Sequence, residues 1–349
     1  MLFMSKVLGE ERGAQTDAPD AVKPATAKPG LRTVRHAAHI GRGVVGAAGT
    51  VLAVSVVTFG LMQLASGDAA DAIAGESASA ADVERVRDQL GLDRSVFVQF
   101  GDWAAGALQG DLGTSWTTGR PVTALLLEAA PATFSITALA LILAGVVGVA
   151  LGSLAGMRRD TLTDRAISVV SSLSIATPNY WVGLVLVSVF ALSWSIFPAT
   201  GYAPLSSGLG TWLSFLALPA IALGLDTMAE TTRQTRGGVV DVMRQPYVVA
   251  ARARGASGGN LFRRHVARNA AIPVVTVFGL QAARLLGGVV VIETVFAIPG
   301  LGMLAVEAVL RRDLPVIQGY VVLCAVLIVL INLCVDACYR WIDPKTRAS

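Results

Sequence analysis

Long apolar runs alternate with short polar stretches along most of this chain. The first run is Val44 to Ala65, and others cover Thr133 to Met157, Ile167 to Leu192, Leu213 to Met228, Ile272 to Ile298 and Val316 to Tyr339. A helix of about 20 apolar residues spans the hydrocarbon layer of a bilayer. The pattern therefore predicts an all-α, polytopic membrane protein with six transmembrane helices. Pro178 interrupts the third run and predicts a kink there, and Pro219 lies inside the fourth and shortest run.

The polar stretches divide the rest. Residues 1–42 are rich in Ala, Pro, Asp and Lys without apolar periodicity, and they read as a disordered cytoplasmic tail. The first transmembrane helix is placed at 43–66, an extracytoplasmic segment at 67–131, a five-helix core at 132–341 and a C-terminal tail at 342–349. Within the extracytoplasmic segment, Asp82 to Leu90 is amphipathic, with Ser79 or Asp82 suited to cap its start and Gly91 its end. Phe97, Phe100, Trp103 and Trp116 predict that this segment packs on something apolar, such as the membrane surface.

Charge sets the orientation. With the N-terminus inside, 18 basic residues flank the spans on the cytoplasmic side and six lie on the other, while the loop Ser193 to Thr211 carries no charge. By the positive-inside rule both termini face the cytoplasm. The chain is 54% hydrophobic and only 15% charged, where a soluble domain carries about 25%. Its net charge of +4 comes mostly from arginines beside apolar runs, which reads as topology and not as a nucleic-acid surface.

Chemistry-bearing patterns are sparse. Cys324, Cys334 and Cys338 all lie in the last run without a neighbouring His, and they read as small buried helix residues. No G-x-x-x-x-G-K-[ST] phosphate loop occurs, so any ATP chemistry must belong to another polypeptide. Gly255 to Gly259 fits G-x-S-x-G by letter, but a helical stretch precedes it, and Ser257 reads as a turn residue. No catalytic, cofactor-binding or metal-binding residue is expected on this chain.

The cytoplasmic stretch 231–271 is far longer than a bare connector. Tyr247 to Ala253 predicts a short helix, Gly255 to Gly259 a turn, and Leu261, Phe262, His265 and Val266 a second helical stretch. A protruding helix-turn-helix with small residues and arginines suits docking into a partner's groove. An amphipathic helix lying on anionic lipid is the competing reading.

This stretch resembles the signature loop of importer-type ABC permeases, which reads Glu-Ala-Ala, three residues, then Gly. Here it is Val249-Ala250-Ala251-Arg252-Ala253-Arg254-Gly255, with Val249 in the place of the Glu. Tyr247 before it, and Arg264-His265, Arg268-Asn269-Ala270 and Pro273 after it, resemble the dipeptide/oligopeptide/nickel branch and its B-type subunit. Three stretches agree in order. They are Gly110 to Ser115 with Pro121, Val122 and Leu125 through Thr133, then Glu293 to Phe296 with Pro299 to Gly302, then Asn332, Leu333 and Asp336 with Asp343-Pro344. The resemblance implies a type I ABC importer permease fold. It implies a heterodimer with a second homologous permease, two cytoplasmic ABC ATPases that hold the ATP and Mg, and an extracytoplasmic substrate-binding protein. Tyr247, Ala250, Ala251, Arg252, Arg254, Gly255, Arg264, His265 and Arg268 would form the ATPase-coupling loop, with Arg252 and Arg254 either touching the ATPase or pairing within the loop. The implied cargo is di- or oligopeptides, with nickel, glutathione or another small solute as the alternative.

Charges inside spans are costly and often functional. Arg284 lies near mid-depth of the fifth run, with Asp226 a candidate partner and Glu293 nearer its outer end. These three are the candidates for a translocation path, or else packing and snorkelling residues. Asp226, Glu230 and Arg284 also leave open an ion-coupled secondary transporter as a further alternative.

Overall fold

A computed structural model describes residues 46, 48–61, 64, 70, 74, 78–255 and 267–342, the side chains of 267–280 and 336–342 excepted. All of these but residue 46 belong to one compact unit, Ala47–Ser349. The tail 1–42, the glycine turn beyond Gly255 with Ser257, and Arg264, His265 and Asp343-Pro344 lie outside the described residues.

Eleven helices follow one another among the described residues. They are α1 (Ala48–Leu61), α2 (Ala80–Leu90), α3 (Val96–Leu108), α4 (Val122–Met157), α5 (Leu162–Ala176), α6 (Asn179–Leu186), α7 (Leu209–Met243), α8 (Pro246–Ala253), α9 (Ala267–Val295), α10 (Leu301–Leu310) and α11 (Leu314–Ile342). The chain is all-α, and α4, α7 and α11 contain stretches long and apolar enough to cross a membrane. The bent pair α5 and α6 is a fourth candidate. α1 and α9 occupy the first and fifth apolar runs.

The break at Pro178 is sharper than a kink, for α5 and α6 meet at 104°. Pro178 has no N–H to donate, and it forces Thr177 into an extended conformation, ψ 127°, which ends α5. After α6 the helix widens into a π-helix over Val187–Ser193.

α7 is the centre of the bundle. It packs against α4, α5, α6 and α9. Its buried Leu216, Leu218, Leu223 and Ala222 form one core with Ile136 and Ala140 of α4 and Leu285, Val289 and Ile292 of α9. The α4–α7 seam is built on glycine. A Cβ at Gly152 would lie 2.5 Å from the Thr232 carbonyl oxygen and 2.6 Å from Thr235 Cβ, and Gly148 and Gly156 meet Thr231 and Val239 as closely. Small residues let two backbones approach until dispersion contacts are dense.

α7 also extends past its apolar run, which ends at Met228, to Met243. The polar stretch stays helical for local reasons. The hydroxyls of Thr231 and Thr232 donate to carbonyls four residues back, at 2.7 and 2.8 Å. Glu230 accepts from Arg233 and Gln234 on the same helix. Val239 is fully buried against α4. Thirty-five residues make a rod of about 52 Å, against a hydrocarbon layer of about 30 Å. The stretch assigned to a loop from residue 231 is therefore, over its first 13 residues, a rigid continuation of the helix.

Between α1 and α4, residues 78–121 are anchored to the helices. Ser79 caps α2 in a reciprocal box with Asp82, and Gly91 ends it at φ 65°. On α3, Phe100 packs edge-on against Phe59 of α1 at 5.5 Å and lies 5.8 Å from Trp103. The turn Ser115–Thr117 is held by Asp313, just before α11. Its buried carboxylate accepts from Ser115 Oγ at 2.5 Å, Trp116 N at 3.1 Å and Thr117 Oγ1 at 2.7 Å.

Candidate functional site

Two places answer to the expectations from sequence: the far end of α7 with α8, and the uncovered face of α9.

Pro246 opens α8 at its first position, where a missing N–H costs nothing, and Gln245 supplies the extended residue before it. Val248 and Ala251, three apart, are buried against Val242 and Met243 at the end of α7. Full burial of the valine side chain is worth about 1.5 to 3 kcal/mol, enough to seat a helix of two turns. Tyr247, Val249, Ala250, Arg252, Ala253 and Arg254 are exposed. Gly255 closes the helix at φ 87°, a conformation that an L side chain resists. Of the two alanines in the signature, only Ala250 faces outward, while Ala251 is turned into α7. Arg252 Nη2 rests 3.9 Å from Met243 Sδ. Among the described residues no carboxylate pairs with Arg252 or Arg254. Arg268 lies at the start of α9 with only its backbone described.

An ion pair that sequence reasoning missed braces this end. Asp164, in the first turn of α5 before the apolar run begins, accepts from Arg236 Nε and Nη2 at 2.5 and 2.8 Å. Asp164 also accepts from Asp160 N at 2.9 Å, holding the tight turn in which Asp160 has φ 64°. The Arg236 guanidinium, outweighing burial, holds the Asp164 carboxyl down at about 2. The only signal in sequence was Thr161-x-x-Asp164, a capping pattern, which does not name its distant partner.

On α9, Arg284, Gly287, Val291 and Thr294 form a stripe that this chain leaves exposed. The pairing of Arg284 with Asp226 is not formed. Asp226 Oδ1 accepts from the backbone N of the next residue, Thr227, at 2.7 Å. Arg284 Nη1 donates to Gln281 Oε1 at 3.4 Å. Glu230, one turn along α7, lies within electrostatic reach of Arg284 and is bonded to Arg233 at 2.7 Å.

Glu293 belongs to neither place. It is fully buried, accepts from Thr133 Oγ1 and from Met303 N at 2.9 Å, and touches the backbone at Gly300 and Gly302. Thr133 Oγ1 in turn accepts from Leu301 N at 2.8 Å. A carboxylate and a hydroxyl thus satisfy the unpaired N–H groups that open α10. Gly300 and Gly302 leave room for it, since a Cβ at either would overlap Glu293. Glu293 is sealed inside the chain as a cap on α10. Of the cysteines, Cys324 is half-buried and Cys334 is exposed, so burial does not explain Cys334.

The family described as "Binding-protein-dependent transport system inner membrane component" matches residues 148–348, and its N-terminal counterpart matches 37–137. The chain belongs to this family. The permease is 38% identical to the probable peptide ABC transporter permease protein y4tP of Sinorhizobium fredii over 88% of its length and 99% of that protein. It is 36% identical to the di/tripeptide transport system permease protein DppB of Pseudomonas aeruginosa, over 85% of the chain and 95% of that protein. It is 38% identical to the glutathione transport system permease protein GsiC of Escherichia coli, over 85% and 95%. The inward-facing MetNI methionine ABC transporter shares its fold, with a TM-score of 0.51 at 18% identity over 63% of this chain and 96% of that one. Family and apolar helices together make the permease a multi-pass inner-membrane subunit of an ABC importer, one that works with ATPase and substrate-binding subunits.

Proposed function

We propose that this permease forms half of a translocation pathway for di- and oligopeptides and is driven by ATPase subunits that dock on α8. The observation that carries the coupling is geometric. α7 is one continuous helix from the bundle core to Met243, and α8 is clamped onto its end by Val248 and Ala251. A push on α8 is thereby delivered to α7, which packs on α4 and α9. For the push to do work, the ATPases must prefer one of two bundle states, since equal binding to both shifts nothing. The exposed Tyr247, Val249, Ala250, Arg252 and Arg254 are the docking face, and Gly255 sets the angle at which the chain leaves it.

The pathway itself needs a second permease of the same fold, set against the exposed stripe of α9. Arg284 on α9 and Asp226 on α7 then face the path. The termini and the α7–α8 junction lie in the cytoplasm, and the α2–α3 segment lies outside, where cargo arrives. ATP and Mg are held by the ATPases, and this chain carries no catalytic group. Peptide cargo rests on the relatives named above. Glutathione is the second reading, favoured by the 38% identity to GsiC.

The test is reconstitution of the whole transporter in proteoliposomes with labelled dialanine and labelled glutathione outside. ATP-dependent dialanine uptake, lost with Gly255→Pro while the complex still assembles, supports the reading. Uptake of glutathione alone would replace the cargo, and uptake without ATPase subunits would end the coupling.

A further inference from the structure

The two sides of α5 are arranged the wrong way round for water. Its buried residues are Asp164 and Ser171, and Asp164 is bonded to Arg236 of α7. On the opposite side Leu162, Ala166, Val169 and Leu173 recur at helical spacing and form one exposed apolar stripe. Leu162, Val169 and Leu173 are 82%, 66% and 66% exposed. A helix that faces water carries the reverse arrangement. Charge is confined to one end of the stripe. Arg165 borders it just after Leu162, and Arg158 lies in the turn before α5. Both are exposed, and among the described residues neither pairs with a carboxylate, whereas Arg159 pairs with Asp160. From Ala166 onward no charged residue occurs before Asp226.

Length and attachment place α5 at the edge of the bilayer. Its 15 residues make about 22 Å, short of a hydrocarbon layer of about 30 Å, and the 104° break ends its course. The first turn is fastened to Arg236, beyond Met228, where the apolar run of α7 ends. Past the break, Gly183 of α6 lies against Ala222 within that run. α5 therefore begins outside the apolar layer and slants into it. An exposed apolar stripe with a basic collar at its outer end suits a surface that is anionic at headgroup level and hydrocarbon beneath. We propose that α5 lies obliquely in the headgroup layer on the α8 side of the bilayer and binds anionic phospholipid. Leu162, Val169 and Leu173 face acyl chains, and Arg158 and Arg165 lie on lipid phosphates. Because Asp164 ties α5 to α7, the lipid holds the element that braces the far end of α7. The proposal goes beyond ATPase docking and peptide cargo and stands without either.

The test uses the complete transporter in nanodiscs, with Cys324, Cys334 and Cys338 replaced and a bimane fluorophore on Leu162→Cys or Val169→Cys. Quenching is compared for brominated phosphatidylglycerol, brominated phosphatidylcholine and aqueous acrylamide. Both positions are expected to be quenched by brominated lipid and little by acrylamide, with phosphatidylglycerol the stronger quencher at position 162. Arg158→Gln and Arg165→Gln are each expected to lower that preference about fivefold, the worth of one basic residue at an anionic surface. Arg165→Lys keeps the charge and is expected to keep the preference. Equal quenching by the two lipids, or a preference that survives both Gln changes, would overturn the proposal. Quenching by acrylamide alone would place α5 in water, and quenching by none of the three would assign the stripe to a neighbouring subunit. Either result would also overturn it.

Discussion

Glu293 has the type and depth of a pathway residue, yet its oxygens are used on α10 and Thr133. Glu293→Ala leaves the α10 N–H groups unpaired and is expected to cost about 1 to 3 kcal/mol, read as a lowered Tm in detergent, with Glu293→Gln milder. Loss of transport at unchanged Tm would return Glu293 to the pathway. Asp164 and Arg236 form a bidentate pair, with Asp164 3% and Arg236 33% exposed at the side chain. Arg236→Ala strands the carboxylate, and because the pair is part-exposed the expected loss is about 2 to 3 kcal/mol. The double change Asp164→Leu with Arg236→Leu should recover much of it. The Asp164 carboxyl is lowered from 3.8 to about 2, so its contribution is complete above 3.8 and lost as pH falls toward 2. The Asp164–Arg236 contribution of the unaltered protein should therefore be the same at pH 5 and pH 8, while in Arg236→Ala burial raises the stranded carboxyl, so the Tm deficit of the variant should be no smaller at pH 8 than at pH 5.

Elements show what was legible. The apolar runs located every long helix, because the demand for about 20 apolar residues is written into composition. Ser79 and Gly91 likewise marked the ends of α2, since capping is local chemistry. The start of α4 and the end of α7 were misplaced: packing of Val122, Leu126 and Ala129 extends α4 before Thr133, and local bonds together with the seam to α4 carry α7 into polar sequence. Val239 and Thr235 stay helical because Gly152 and Gly156 receive them. α10 went unforeseen because its cap is supplied by Glu293 and by Thr133, which is 168 residues away from Leu301. The proposed docking residues come from the resemblance, and packing against Val242 and Met243 decides which of the two alanines faces outward. The seam gives its own prediction. Gly152→Leu must push α7 away from α4, at about 1 to 3 kcal/mol or more, and should abolish assembly. Gly287→Ala, where a Cβ meets nothing within 4 Å among the described residues, should leave the isolated subunit's Tm unchanged. If Gly287→Ala weakens association with the second permease, the α9 stripe is the shared face.

For the whole molecule, the account is of a lever. A rod of 35 residues runs from the core to a short helix braced by one ion pair and one glycine seam. In this account whatever moves α8 moves the bundle, and the ATPase partners that the family works with are the mover. The most direct measurement is cysteine cross-linking between α8 and the ATPase in the complete transporter, after Cys324, Cys334 and Cys338 have been replaced. Val249→Cys lies on the exposed face and Ala251→Cys on the buried one, with relative exposures of 55% and 5%. The lever account predicts strong cross-linking from position 249, a yield that changes when ATP is bound, and little from 251. Equal or absent cross-linking at both positions, in a transporter that still couples ATP hydrolysis to uptake, would contradict it.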